Sequence, residues 1–234
     1  MKIALLGYGK MGKVIETIAL SRGHEISLKV DKNTKDYDLS HVDVAINFST
    51  PKSAVENISK ALESNVPIVS GTTGWLSEIE TIETLCSELE GAFIYASNFS
   101  LGVNIFFELN KNLAKMMSNL TDYNIDLEEI HHKQKIDIPS GTAITLAEGV
   151  IENTNYKSWG LEPTENPEKL KIKAKRYDNV HGTHKVNYNS SIDQISLVHT
   201  AHNRKGFGLG AIIAAEWIIG KKGVFTMNDV LNIK

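Results

Sequence analysis

The chain begins with MKIALLGYGKMG, residues 1–12, in which a short apolar run meets three glycines. The run from Lys2 to Leu6 is typical of a buried strand, and the segment from Lys10 to Ser21 has the period of a helix that closes at Gly23. The glycines therefore stand where a strand turns into a helix. There the first glycine allows the tight turn, the second lets the backbone approach a pyrophosphate, and the third permits close helix–strand packing. The stretch Gly7-Tyr8-Gly9-Lys10-Met11-Gly12 thus predicts a dinucleotide-binding loop, with an ordinary strand-to-helix turn as the alternative.

The residues after the second predicted strand bear on the choice of cofactor. Asp31 follows the strand Glu25 to Val30, about 20 residues beyond the glycines, where an acidic residue bonds the ribose hydroxyls of a dinucleotide. Lys32 is adjacent, and a cation attracts the 2′-phosphate that an acid repels. The pair is therefore compatible with NADH, NADPH or both. A solvated loop lysine remains the alternative for Lys32.

The alternation of short apolar runs with helical segments continues to about residue 100, which predicts a parallel sheet covered by helices, a Rossmann-type α/β fold. Thr50 and Pro51 predict one helix start, as N-cap and first helical residue, and Ser77 with Glu80 predicts a capping box at another. The further strands are predicted at Val42 to Phe48, Val66 to Val69 and Ala92 to Ala96.

Two loops follow the fourth and fifth predicted strands, Gly71-Thr72-Thr73-Gly74 and Ala96-Ser97-Asn98-Phe99. Ligands of open parallel sheets bind outside the carboxyl ends of the strands, so we expect both loops to face the same crevice as the glycine loop. Each loop taken singly is equally consistent with a plain turn.

Beyond Asn98 the pattern changes to one helix, about Val103 to Met117, followed by clustered strands with few helices between them. This clustering predicts an α+β unit with a mixed or antiparallel sheet. The segment from Glu152 to Glu168 is predicted as a loop, and the helix from Gly206 to Ile219 is expected to dock on the first domain. The expected strands are Tyr123 to His131, Leu170 to Arg176, Lys185 to Tyr188 and Ile195 to Thr200.

The densest group of reactive side chains is EEIHHKQKIDIPSGT, residues 128–142. Histidine exchanges protons near neutral pH, and lysine steadies negative charge or donates a proton. Ser140 is placed to cap a helix from Gly141 to Val150, which leaves N–H groups near Gly141 and Thr142 to hold a carboxylate. These features predict a dicarboxylate site. The alternatives for the histidine pair are a zinc site or a structural pair, and the scarcity of other spaced ligands argues against metal. A surface role is the alternative for Lys133.

Composition excludes several other classes of protein. The 234 residues carry a formal net charge of −3 and one cysteine, Cys86, so no disulfide can form within one chain and a reducing, cytoplasmic location is expected. The apolar stretches fall far short of the roughly 20 residues that span a bilayer, so no membrane association is expected. A pI near 6.2 argues against nucleic-acid binding.

Taken together, these residues resemble the 4-hydroxy-tetrahydrodipicolinate reductase (dihydrodipicolinate reductase) family over nearly the whole chain. The segment from His131 to Thr142 is the most specific part of the resemblance, because many unrelated dehydrogenases share the glycine loop. Matching positions also include Asn98-Phe99-Ser100, Gly102-Val103-Asn104, Arg176, His184, His199 to Arg204, Phe207, Gly210 and Trp217.

The resemblance implies an NADH- or NADPH-dependent oxidoreductase that reduces 4-hydroxy-tetrahydrodipicolinate to tetrahydrodipicolinate in the diaminopimelate route to lysine. It implies that His131 is the proton donor and acceptor and Lys135 the second proton donor, and that His132, Gly141 and Thr142 bind the substrate carboxylates. It assigns the cofactor to Gly7 to Gly12, Asp31, Gly71 to Thr73 and Ala96 to Phe99. Residues 1–101 with 205–234 would form the dinucleotide-binding domain, and residues 102–204 a substrate domain whose sheet builds a homotetramer.

Some positions depart from the family pattern. The connection between the second and third strands is short, with only Asp36 to His41 in place of a longer segment, which leaves any cofactor contact there open. Ile138 replaces the usual alanine, and His181 lies in a segment that differs from the family pattern. Another Rossmann-type amino-acid or semialdehyde dehydrogenase and a non-catalytic NAD(H) sensor remain the alternative functions.

Overall fold

The structure is a computed structural model that describes residues 1–34 and 36–233. The described residues divide into two compact units: a first unit within Met1–Leu101 and Lys205–Lys234, and a second unit, Gly102–Arg204. In the described chain, no helix has both the length and the hydropathy needed to cross a membrane.

The first unit is built on a sheet of six parallel strands, β1 (Lys2–Leu6), β2 (Glu25–Val30), β3 (Val44–Asn47), β4 (Ile68–Ser70), β5 (Ala92–Tyr95) and β11 (Gly223–Phe225). Their order in the sheet is β11-β5-β4-β3-β1-β2. Its helices are α1 (Lys10–Ser21), α2 (Pro51–Glu63), α3 (Ile79–Glu88), α6 (Lys205–Ile218) and α7 (Met227–Leu231).

The sheet of the first unit is covered on both faces. The central strand β3 is buried along its whole length, as expected where helices lie on both sides of a parallel sheet. One core contains residues of α1, α6 and α7, and the other contains residues of α2 and α3. A Cβ built on Gly208 would lie 2.9 Å from Ile18 and 3.0 Å from Val14, so this glycine lets α6 pack closely on α1.

The second unit has a mixed sheet of five strands, β6 (Asn124–His131), β7 (Ser158–Leu161), β8 (Lys169–Arg176), β9 (Thr183–Asn189) and β10 (Gln194–Thr200). Its helices are α4 (Leu101–Met117) and α5 (Gly141–Ile151). The strand order is β10-β9-β6-β8-β7, and the central strand β6 pairs antiparallel with β9 and parallel with β8. The predicted fold class, a Rossmann-type parallel sheet with an α+β unit, is confirmed.

Two local predictions were wrong, and two short elements were not predicted. Ser77 and Glu80 do not form a capping box, because Ser77 lies inside a 3-10 turn and α3 begins only at Ile79. The predicted loop from Glu152 to Glu168 contains the edge strand β7, whose half-exposed residues show little alternation. The short elements β11 and α7, three and five residues long, follow the last predicted helix and give too short a pattern to be predicted.

Candidate active site

The candidate site of the second unit begins with the alternation of strand β6. Successive side chains of a strand point to opposite faces, and Leu127, Glu129 and His131 all lie on the buried face. Apolar side chains occupy this face at the start of the strand, whereas a carboxylate and an imidazole occupy it at the end. The strand therefore carries two titratable groups into the interior side by side.

The Glu129 carboxylate is fully buried and holds several partners. Its Oε2 lies in contact with Nδ1 of His131, while its Oε1 accepts hydrogen bonds from the Arg176 guanidinium at 3.0 Å and from the Ser140 backbone N–H at 3.3 Å. Burial favours the neutral acid, but the bonds to His131 and Arg176 outweigh it and lower the pKa of Glu129 to about 2. The carboxylate is therefore ionised at neutral pH.

His184 of β9 is the register partner of Glu129 on β6 and is also buried. Its Nε2 lies 3.1 Å from Oγ of Ser140, and its ring stands edge-on to that of His131 with centroids 5.0 Å apart. Burial, and next the charge of His131, lower the pKa of His184 to about 3. His184 is therefore a neutral imidazole near pH 7, and its Nε2 is able to accept a hydrogen bond from the Ser140 hydroxyl.

The start of α5 is arranged as the sequence predicts. Ser140 is its N-cap, with Oγ accepting the backbone N–H of Ala143 at 3.2 Å. A Cβ built on Gly141 would meet nothing within 4 Å, so the space beside this helix start is open. Thr142 is half-buried in the first turn. Backbone N–H groups here point outward from the positive end of the helix, which suits a carboxylate.

The connection from β6 to α5 carries the remaining predicted residues. His132 directly follows the strand and is half-buried. Lys135 is 23% exposed, and its Nζ contacts both oxygens of Asp137. Lys133 is instead an exposed lysine paired with Asp178 at 2.8 Å, which agrees with the surface role considered for it.

Three side chains of this cluster have ligand atoms close enough for a metal ion. The ligand atoms of Glu129, His131 and His184 lie within 4.8 Å of one another. However, the positive guanidinium of Arg176 bonds the same carboxylate, and its charge repels a metal cation bound beside it. We therefore describe the cluster as an ion-pair and hydrogen-bond network.

In the first unit, the glycine loop has the geometry that its spacing predicts. Gly7 has φ +104°, and a Cβ there would lie 2.2 Å from the Phe48 carbonyl oxygen. Gly12 would place a Cβ 2.6 Å from the Gly7 oxygen, so it permits the close approach of α1. Gly9 differs, since a Cβ there meets nothing within 4 Å. Its open side is the side on which a bound pyrophosphate would approach.

A cavity of about 640 Å³ adjoins this loop, lined in part by Gly7, Tyr8, Gly9, Asp31 and Lys32. The Asp31 carboxylate accepts hydrogen bonds from the Asn33 backbone N–H at 2.9 Å and from Thr34 Oγ1 at 3.1 Å, and these bonds lower its pKa. Lys32 is exposed beside it. The open glycine, the ionised acid and the size of the cavity fit a dinucleotide.

The other predicted cofactor residues range from exposed to buried. Lys10 and Met11 lie in the first turn of α1, and Thr73 and Ser97 are exposed on their loops. Thr72 is buried, with Oγ1 accepting the Ser49 backbone N–H at 2.9 Å. Gly71 and Ala96 are half-buried directly beyond β4 and β5, as is Asn98, whose Oδ1 accepts the Ser100 backbone N–H.

Phe48 is the residue of this region that the sequence reasoning missed. It follows β3, and its ring would lie 2.3 Å from a Cβ on Gly71, so glycine is needed there. The ring also packs on Phe99 with centroids 5.8 Å apart. Since the Phe99 side chain is 1% exposed and belongs to the core, only its backbone remains for a ligand.

The two units define a class of protein: an oxidoreductase with a Rossmann-type domain for an NAD(P) cofactor and a second unit that carries a cluster of buried histidine and carboxylate side chains. The chain belongs to the dihydrodipicolinate reductase family, whose N-terminal model matches residues 1–99 and whose C-terminal model matches residues 102–231.

Similar proteins agree with this family. The chain is 54% identical over 235 residues to the 4-hydroxy-tetrahydrodipicolinate reductase of Christiangramia forsetii, a match that covers 99% of this chain and 98% of the relative. It is 36% identical to the enzyme of the same name from Buchnera aphidicola, over 89% of this chain and 78% of the relative. A solved structure, the dipicolinate-bound dihydrodipicolinate reductase of Paenisporosarcina sp. TG-14, shares the fold with a TM-score of 0.81 at 20% identity, covering 100% of this chain and 99% of that chain.

Proposed function

We propose that this protein reduces 4-hydroxy-tetrahydrodipicolinate to tetrahydrodipicolinate in the diaminopimelate route to lysine. The observation that carries the proposal is the polar connection from His131 to Thr142 in a chain that matches a reductase of that name from end to end. Glycine loops are shared among many dehydrogenases, whereas this connection combines proton donors with a helix start that suits a carboxylate.

The substrate is a dicarboxylate, and the second unit offers it several positive or donating groups. The backbone N–H groups of Gly141 and Thr142 at the start of α5 bind one carboxylate, and His132 assists. The space beside Gly141 supports this role, because a side chain would otherwise occupy it. The Paenisporosarcina relative, described as dipicolinate-bound, holds a dicarboxylate of the same kind.

The reaction adds one hydride and one proton to the substrate, and its hydroxyl group leaves as water. When bound, the reduced nicotinamide supplies the hydride. His131 and Lys135 supply and accept protons as charge develops on the ring, and Lys135 also steadies that charge. His131 is buried against Glu129, so bulk water competes little for its proton.

The dinucleotide is held by Gly7 to Gly12, Asp31 and the loops Gly71 to Thr73 and Ala96 to Phe99. The ionised Asp31 carboxylate accepts ribose hydroxyls and repels a 2′-phosphate, whereas Lys32 offsets part of that repulsion. We therefore infer that both NADH and NADPH are used and that NADH is preferred.

The active form is a cytoplasmic homotetramer joined through the sheet of the second unit. Val198 of β10 is 54% exposed on the sheet face that also bears Glu128, which is paired with Lys175 and Lys185. Apolar and paired charged groups together suit an interface between copies. Light scattering coupled to size exclusion measures the assembly directly, and a monomer would contradict this part.

The test of the activity is steady-state oxidation of NADH and NADPH by the purified protein with freshly generated substrate. Turnover with formation of tetrahydrodipicolinate is expected. Cofactor binding without turnover would indicate a sensor, and turnover only with an amino acid or semialdehyde would indicate a different dehydrogenase. Either result would contradict the proposed activity.

A further inference from the structure

Strand register brings four polar side chains together in the second unit. Glu129 and His131 lie two residues apart on β6; His184 of β9 is the register partner of Glu129, and Arg176 of β8 is the register partner of His131. Because residues two apart on one strand and their neighbours across the sheet share a face, all four groups meet in the interior.

The two oxygens of the Glu129 carboxylate have different partners. Oε1 accepts hydrogen bonds from Arg176 and from the Ser140 backbone N–H, both of which belong to other segments. Oε2 contacts Nδ1 of His131. A buried carboxylate costs several kcal/mol unless it is paired, and here the two bonds to Oε1 hold the group in place while Oε2 remains for the imidazole.

Because Nδ1 of His131 faces the Glu129 carboxylate, Nε2 is the ring nitrogen directed away from it. An imidazole that donates Nδ1–H to a carboxylate presents Nε2 as its other nitrogen. A Cβ built on Gly182 would lie 3.1 Å from this Nε2, so the glycine leaves the space beside it unfilled. Nδ1 thus faces Glu129, and no side chain at position 182 covers Nε2.

We propose that Glu129 is a positioning residue for catalysis: it fixes the Nδ1–H tautomer of His131 and stabilises the imidazolium, so that Nε2 is the atom that exchanges the proton. The inference rests on the proposed function for the role of His131 as proton donor. Glu129 does not touch the substrate in this scheme and acts through the histidine alone.

Glu129 is the carboxylate in direct contact with the His131 ring. Arg176 is bound to Glu129, and Lys135 is bound to Asp137. Burial lowers the pKa of His184 and of His199, the histidine on β10, so neither repels the imidazolium near neutral pH. Removing the charge of Glu129 should therefore act chiefly on the protonated form of His131.

The experiment compares the intact protein with Glu129→Gln, which keeps the shape and removes the charge, and with Glu129→Asp. Glu148→Gln, an exposed carboxylate on α5, is the matched control. We expect Glu129→Gln to lower kcat roughly 10- to 100-fold, to leave the KM for NADH unchanged, and to move the alkaline limb of the kcat profile about one unit lower in pH. Glu129→Asp should restore part of kcat and should reverse part of the shift of the alkaline limb. Glu148→Gln should keep the original pH profile.

A second measurement needs no substrate and separates this inference from the proposed function. Nitrogen-15 NMR of histidine-labelled protein, with the His131 signals assigned by their loss in His131→Asn, reports which ring nitrogen carries the proton at alkaline pH. The intact protein should show Nδ1–H, and Glu129→Gln should show a mixture of tautomers. An Nε2–H tautomer in the intact protein would overturn the inference even if Glu129→Gln fails to fold.

An unchanged tautomer and an unchanged alkaline limb in a folded Glu129→Gln would also overturn the inference. A protein with the expected tautomer but no turnover would contradict only the proposed function.

Discussion

Lys135 and Asp137, two residues apart in the connection between β6 and α5, form a two-pronged ion pair in which Nζ lies 2.9 and 2.7 Å from the carboxylate oxygens. The bond to Lys135 lowers the pKa of Asp137 against the opposing effect of partial burial. The lysine is therefore held in a defined place next to the start of α5. A substrate carboxylate that binds Lys135 must share it with Asp137 or displace Asp137.

Replacing Lys135 by Ala should lower kcat roughly 100- to 1000-fold, because a proton donor and charge stabiliser acts chiefly in the transition state. The KM for NADH should change by less than about twofold, since uniform binding is not affected. Steady-state kinetics measure both. The matched control is Lys133→Ala, which removes an exposed lysine paired with Asp178 and should keep normal turnover. Normal turnover in Lys135→Ala would contradict the role proposed for this lysine.

Alanine at two glycines of the first loop should affect different quantities, dinucleotide affinity at Gly9 and stability at Gly7. Gly9→Ala meets no neighbouring atom and has φ −95°, so the free energy of unfolding should hold while dinucleotide affinity falls at least about tenfold. Gly7→Ala should lose roughly 2 to 4 kcal/mol of stability, because of its positive φ and the 2.2 Å approach to Phe48. Denaturant unfolding and fluorescence titration with NADH measure the two effects. Equal losses of stability would refute this division of roles.

Replacing Asp31 by Asn should reduce the preference for NADH over NADPH. The variant keeps hydrogen-bonding capacity but removes the charge that repels a 2′-phosphate, so the ratio of kcat/KM values for the two cofactors should shift toward NADPH by about tenfold. Asp38→Asn, an exposed aspartate bonded to Ser40 in the following loop, is the control. An unshifted ratio would show that Lys32 or another group determines the preference.

Acid should destabilise the protein below pH 6.5. His184 has a pKa of about 3 when folded against 6.5 for the ordinary side chain, so the unfolded chain binds more protons between these values and the free energy of unfolding falls as pH falls. The slope should reach at most about 1.4 kcal/mol per pH unit. Glu129, with a folded pKa of about 2 against 4.5, contributes stability that is fully present above pH 4.5 and is lost below it.

Urea unfolding between pH 6.5 and 4.5 tests the effect of His184, to which His199 adds because its pKa is also lowered. The slope should be smaller in His184→Gln than in the unsubstituted protein, whereas His41→Gln, which changes an exposed histidine, should retain it. Equal slopes in all three proteins would mean that His184 does not carry the acid sensitivity.

Two glycines in α6 provide a matched test of packing. A Cβ on Gly210 would lie 1.7 Å from the Phe99 carbonyl oxygen, so Gly210→Ala should lower the free energy of unfolding by about 3 kcal/mol or more. A Cβ on Gly206 would come no nearer than 3.5 Å to Ser100, so Gly206→Ala should be neutral or slightly stabilising. Thermal or denaturant unfolding measures both, and a tolerated Gly210→Ala would contradict the close approach.

Much of the fold follows from local pattern. The apolar run and glycines of residues 1–12 indicate a strand, a tight turn and a helix, because a turn with positive φ and close packing admits glycine alone. Thr50 with Pro51 and Ser140 were correctly predicted as helix starts, since caps act within one turn. Predictions failed where the signal was short or ambiguous, as at Ser77, in the edge strand β7 and at β11.

The sequence by itself determined the glycine loop, the acidic residue after β2 and the crowded connection from His131 to Thr142, because each is a contiguous run whose chemistry needs no distant partner. Only the tertiary structure decided that Arg176 and His184 flank Glu129, since a residue's neighbours across a sheet depend on strand order and register. The packing of Phe48 against Gly71 and Phe99 is of the same kind. Side chains far apart in the chain meet only when packing of the whole unit fixes that register, and no local period encodes it.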